Sequence, residues 1–223
     1  MEIVKEKRIF VREKAKQFGT EALSDCELIS LLLNTGTRNM DVLQLANRLL
    51  FGHGGLRSTL EAEFQDIVGY GIGDAKALRL LAVKEFIRRI PLLRPLPIHS
   101  PKEAYYSLKL CFFGLKTESI LLFVLQETGE IEAARLVKGY NRARADLCIG
   151  ALCSLTEHAR SKNVVIIHNH PSGNSAPSEA DIRTTKAINL EMKKIGIKLL
   201  DSLIFCEEDF CSILHTKDYR WRF

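Results

Sequence analysis

The residues best suited to chemistry in this 223-residue chain are His168, His170 and Asp181. The two histidines stand in His168-Asn169-His170-Pro171, directly after the β-branched run Val164-Val165-Ile166-Ile167. Such a run reads as a buried strand. On an extended backbone residues i and i+2 face the same way, so both imidazoles can point at one spot. Pro171 removes a backbone donor and ends the pairing, and Ser172-Gly173-Asn174-Ser175 supplies a turn. Asp181 falls one turn into a helix that begins near Ser178, so its carboxylate can come back towards the histidines. Two imidazoles and one carboxylate make a catalytic-type zinc site, in which three protein ligands leave the fourth position open. Asp181 has a second reading. Ser178-x-x-Asp181 also has the spacing of a capping box, where the carboxylate satisfies backbone amides.

A hydrolytic zinc site needs a base to take a proton from water. The candidate is Glu118, which opens the apolar segment Ser119-Ile120-Leu121-Leu122-Phe123-Val124-Leu125, a central strand of the same domain. The residues alone favour the plainer alternative, in which Lys116-Thr117-Glu118 is a solvated turn.

As a set, Glu118, His168-x-His170-Pro171 and Ser178-x-x-Asp181 resemble the JAMM (MPN-domain) metalloprotease signature, and the chain is similar to the bacterial RadC family. The likeness covers nearly the whole length. It includes Arg12-Glu13-Lys14, Leu23-Ser24-Asp25-Cys26-Glu27-Leu28 and Leu33-Asn34-Thr35-Gly36-Thr37, then Gly71-Ile72-Gly73-Asp74-Ala75-Lys76-Ala77. His168-Asn169-His170-Pro171-Ser172-Gly173 and Leu200-Asp201-Ser202-Leu203-Ile204 complete it. The resemblance implies an α/β fold of JAMM/MPN (cytidine-deaminase-like) type, a mixed sheet flanked by helices, preceded by a small all-helical domain. It implies one zinc per chain on His168, His170 and Asp181, with Glu118 as general base. Ser178 would polarise the scissile carbonyl or hold the water. The implied activity is a metallopeptidase acting on peptide or isopeptide bonds of a peptide or protein substrate, in a family associated with DNA repair.

Two departures from the family pattern bear on substrate choice and activity. The family's His-Pro-Arg-Glu element is replaced by Cys148-Ile149-Gly150-Ala151, and its Asp-His pair by Asp201-Ser202. Neither removes an implied ligand. Cys148 can be read as a thiol in place of the lost imidazole, or as a small buried residue at the start of a helix; the second is the commoner role of a free cysteine.

A second function class comes from the first part of the chain. Residues 64–68, 69–73 and 74–78 read as helix, tight turn, helix, and resemble a helix-hairpin-helix. Gly71 and Gly73 allow the positive φ and close backbone approach of such a turn. Amides at the start of the second helix can then meet a DNA phosphate, with Lys76 adding charge, as sequence-independent backbone contact. The alternative to a hydrolase is therefore a DNA-associated binding module with a structural or degraded metal site. Charge does not decide between them. The net charge is +5, and the halves on either side of Ile98 carry +3 and +2, with no strongly basic arm. Local clusters at Lys138, Arg142 and Arg144 and at Arg220-Trp221-Arg222 read as solvated surface.

Four of the six prolines (Pro91, Pro95, Pro97 and Pro101) fall within a short span. Because proline does not continue a helix, residues 91–98 read as a linker between a helical domain, 1–90, and an α/β domain, 99–223. Ser24 with Glu27 makes a capping box for one helix, and Asp41 opens another that Gly52 and Gly54-Gly55 end. Ser100-Pro101 starts the second domain. Strands are expected around 118–126, 130–138, 164–167 and 197–205, with helices around 149–161 and 178–195. The N-terminal residues lack an apolar signal core and no apolar run is long enough to span a membrane, so a soluble, cytoplasmic protein without membrane contact is expected. The six cysteines show no C-x-x-C spacing and read as free thiols.

Overall fold

The computed structural model describes residues 10–93, 97–138 and 145–223. Arg142 and Arg144 of the expected basic cluster, Pro95 of the expected linker and the first nine residues lie outside that set. The chain divides into two compact units between Glu85 and Phe86.

The first unit is helical: α1 (Val11–Phe18), α2 (Asp25–Leu33), α3 (Val42–His53), α4 (Leu56–Glu61), α5 (Phe64–Val68) and α6 (Asp74–Leu93), the last running on past the boundary. Ser24 caps α2 and Asp41 caps α3, each with the reciprocal bond of a capping box. The apolar stripes of these helices close on a core containing Ile29, Leu33, Leu45, Leu49, Ile67 and Leu80. Each such side chain, fully buried, contributes about 1.5–3 kcal/mol. Gly52 stays inside α3 instead of ending it, and it is a glycine because a side chain there would meet the Tyr70 hydroxyl 2.2 Å away. The helix stops at Gly54, whose φ of 82° is left-handed.

The linker expected over 91–98 is corrected at its start: α6 continues through Pro91 to Leu93. Near a helix end the proline forfeits only the bond to the carbonyl four residues back. Leu92, one residue further on, packs against the core of the second unit, which offsets that loss.

The second unit holds α7 (Pro101–Leu108), β1 (Ile120–Leu125), β2 (Ile131–Val137), α8 (Ala145–Glu157), β3 (Asn163–Asn169), α9 (Glu179–Lys194), β4 (Lys198–Phe205) and β5 (Phe210–Ser212). The strands form one sheet in the order β2-β1-β3-β4-β5. β1 runs antiparallel to β2 and β3, β4 runs parallel to β3, and β5 antiparallel to β4. The parallel pair requires a crossover, which α9 supplies. Side chains alternate between two covered faces. Leu121, Phe123 and Leu125 share one core with α7 and Trp221, while Ile120, Leu122 and Val124 share the other with Cys148, Leu152, Ile188 and Met192 of α8 and α9. His168 and His170 have the parity of Ile166 and so belong to the α8/α9 face. A register shift beside Val164 and Val165 changes the alternation in β4. Asp201 consequently turns to the α7 face, where Trp221 Nε1 donates to it, while Ser202 turns to α9 and Thr185. Among the described residues, no helix is long and apolar enough to cross a membrane.

Candidate metal centre

The end of β3, the loop after it and the first turn of α9 bring His168, His170 and Asp181 together, all three buried. The two Nε2 atoms are 3.2 Å apart. His168 Nε2 lies 3.6 Å from Asp181 Oδ1, and His170 Nε2 3.7 Å from Asp181 Oδ2. Two nitrogens at usual zinc bond lengths on a tetrahedral ion are about 3.3–3.4 Å apart. The imidazole pair meets that requirement as it stands, and the carboxylate is a few tenths of an ångström wide of it. The donor set, two imidazoles and a carboxylate, is one that zinc accepts, and the group fits.

The surrounding protein fixes how these donors are presented. His170 Nδ1 lies 2.8 Å from the Asn174 carbonyl; with its proton held there, the lone pair sits on Nε2, as a metal-binding imidazole requires. Asp181 makes the expected capping box with Ser178 and also stands beside both imidazoles. Its Oδ2 accepts from the Ser178 amide at 2.8 Å and from the Ser178 hydroxyl at 2.6 Å, and its own amide donates back to Ser178 Oγ. Its Oδ1 is the oxygen turned towards His168. One side chain thus caps α9 and faces the two imidazoles. The same bonds fix the state of Ser178: the hydroxyl expected to act on substrate donates to the Asp181 carboxylate.

Glu118 lies just before β1. The β1–β3 ladder ends with Ile120 opposite His168, so Glu118 and His170 both lie just beyond its end, at the same end of the sheet. Asn169, which the reading of the sequence passed over, secures this. Its Oδ1 accepts from the Ser119 amide at 2.7 Å and its Nδ2 donates to the Thr117 carbonyl at 3.3 Å. The Asn169 amide donates to the Ser119 carbonyl as well. One side chain therefore grips the backbone on both sides of Glu118. The signal was its place between two histidines, where alternation sends it to the opposite face from them.

A small cavity adjoins the donors, with His168, Asp181, Ile120, Cys148, Ser202 and Ile188 in its wall. Cys148 and Ser202, the two departures from the expected pattern, both face it. Because α8 begins at Ala145, Cys148 is already inside a helix and buried. Ser202 is also buried, and its Oγ accepts from Thr185 Oγ1 at 3.0 Å. On the other face of β4, burial pushes the Asp201 carboxyl pKa up against the donors Ser212, Trp221 and the Ser202 amide.

The remaining candidates lie in the first unit. α5, the turn and α6 form the expected helical hairpin, with Gly71 at a φ of 77°. Gly73 has no positive φ, and a side chain added there would meet nothing, so neither reason given for a glycine at 73 applies. Lys76 Nζ donates to the Thr35 and Gly36 carbonyls, each at 2.6 Å. Its charge holds the loop after α2.

The family model described as RadC-like JAB domain matches residues 98–219, and that described as UPF0758 N-terminal matches residues 5–78. The chain is 33% identical to a UPF0758 protein of Clostridium tetani over 86% of both chains. It is 34% identical to one from Bacillus licheniformis, over 91% of this chain and 92% of the relative. A UPF0758 protein of Geobacillus sp. is 35% identical over 91% of each. With matches of this length over both units, the chain belongs to the UPF0758 proteins, the family that carries the RadC-like JAB domain.

Proposed function

We propose that this chain is a zinc-dependent hydrolase of JAMM type that cleaves a peptide or isopeptide amide, with His168, His170 and Asp181 as the zinc ligands. The observation that carries the proposal is the convergence of two imidazole nitrogens, 3.2 Å apart, on a carboxylate. When bound, zinc supplies Lewis acidity at the one coordination position these donors leave open.

The protein does the rest. Glu118, whose two neighbours in the chain are held by Asn169, accepts a proton from the attacking water and returns it to the leaving amine. The Asn174 carbonyl keeps the His170 proton on Nδ1. Ser178 orients Asp181 and neutralises part of the charge on its Oδ2. The burial of all three ligands excludes bulk water, so the electrostatic interactions there are strong.

The test is elemental analysis of the purified chain beside a His168→Ala, His170→Ala double variant. The expected result is about one zinc per chain, lost in the double variant. Equal metal in both would remove the site.

A second reading is non-specific DNA contact through the α5–α6 hairpin, favoured by the turn geometry at Gly71 and opposed by the bonds of Lys76. A gel shift of the whole chain with and without chelator separates it from the hydrolase, since a backbone-phosphate contact needs no metal.

A further inference from the structure

We propose that the cavity beside the donors is an acyl-side subsite that admits one methyl-sized substituent, an alanyl side chain or an acetyl methyl, on the carbon of the scissile carbonyl. This rests on the hydrolase reading above and names its substrate class.

Three observations converge on it. The first is composition. The wall is mainly apolar, from Ile120, Ile166 and Ile188 with the thiol of Cys148; the proposed ligands His168 and Asp181 and the hydroxyl residues Thr184, Thr185 and Ser202 complete it. The hydroxyls of Thr185 and Ser202 hydrogen-bond to each other, so that pair does not demand a polar guest. A charged or amide side chain would leave water without compensation here. The second is size. The cavity has room for one group about as large as a water or a methyl, so longer side chains do not fit without displacing the wall.

The third is direction. The β1–β3 ladder ends on the row of Ile120 and His168, and Glu118 and His170 lie outside it, past the ends of both strands. The wall includes Ile120 and His168, and His170 is not among the residues lining it. A base outside the ladder must deliver its proton to the departing nitrogen, so the amine leaves on that side. The substituent of the acyl carbon then points to the row of Ile120 and His168, where the cavity is. Cys148 and Ile188 lie on α8 and α9, so the cavity is bounded by secondary structure and its size is set by rigid elements.

The experiment uses the whole chain. Its zinc content is measured first, and it is then titrated calorimetrically with acetohydroxamic, propionohydroxamic, butyrohydroxamic and benzohydroxamic acids. These ligate zinc through the same two oxygens and differ in the acyl substituent. Acetohydroxamic acid is expected to bind tightest. In Cys148→Ala, which enlarges the cavity, the optimum should move to propionohydroxamic acid with a gain of about fourfold, the usual effect of one buried methylene. Ile188→Val enlarges the cavity from α9 and should shift the optimum the same way, should Cys148→Ala fail to fold. Affinity that rises steadily with substituent size, unchanged in both variants, overturns the subsite and leaves the zinc assignment standing. A chain that takes up no zinc and binds none of the four acids overturns the hydrolase reading and the subsite with it.

Discussion

The connection from β3 into α9 and the turn from α5 into α6 are both short links that feed the start of a helix, and they treat their charged groups in opposite ways. After β3, the protein supports two of the three donors without covering the atoms that converge: Asn174 holds His170 Nδ1, and Ser178 holds Asp181 through Oδ2. The near atoms are left converging on one another. In the hairpin, the functional end of Lys76 is the part that is gripped, by two carbonyls of its own unit. The two motifs thus differ in whether the protein supports a group from behind or closes over its tip. Only the first arrangement leaves a group presented for chemistry.

The change expected to affect the metal centre most is Glu118→Gln. It keeps the size of the side chain and removes the base, so hydrolysis of a mixed peptide library should fall by about 10²–10⁴-fold. Zinc content should stay at the wild-type level. Unchanged turnover would return Glu118 to a solvated turn and leave the centre without a base.

Next is Asn169→Ala. It leaves both histidines in place but deprives the buried Ser119 amide of its acceptor, at a cost of about 1–3 kcal/mol. Denaturant titration should show that loss, and turnover should fall with zinc retained. If stability falls but turnover does not, Glu118 does not depend on this grip.

These cases explain how far the sequence could be read. The β-branched run, the proline after His170 and the capping-box spacing specify local geometry, so β3, the loop and α9 follow from neighbouring residues. The sheet core was legible for the same reason: β1 and β3 are continuous apolar runs covered on both faces. What was not legible depends on distant partners. Pro91 is helical because Leu92 has a core to enter, and Gly52 is required by Tyr70, which comes after two more helices. The short strand β5 is tied to β4 through Ser212 and Asp201, a contact no local pattern announces. Nor does any spacing rule reveal that Cys148 and Ser202 face one cavity, since that takes a register shift in β4.

Ser178→Ala gives a smaller effect and separates the two duties of Asp181. Loss of an N-cap hydroxyl costs about 0.5–2 kcal/mol. Freed from the hydroxyl, Asp181 Oδ2 is less well oriented, and zinc affinity should fall by about tenfold or more, as when an outer partner of a ligand is removed. Competition with a fluorescent chelator would measure this. A stability loss with unchanged zinc affinity would mean that the capping box serves α9 alone.

The smallest effect is expected from Lys76→Met, which tests the other side of the comparison. The variant keeps much of the stem and removes the two bonds to Thr35 and Gly36, one of them part-buried and one exposed. A cost of about 1 kcal/mol is expected, seen as a fall of a few degrees in the melting temperature of the chain. Binding to a short duplex, followed against salt concentration, should keep the wild-type slope, because the ammonium is engaged within the protein. A side chain that neutralised a phosphate would lower that slope by about one unit when removed. Such a drop would show Lys76 leaving its carbonyls for DNA, and the hairpin would then present its charge as the metal centre presents its donors.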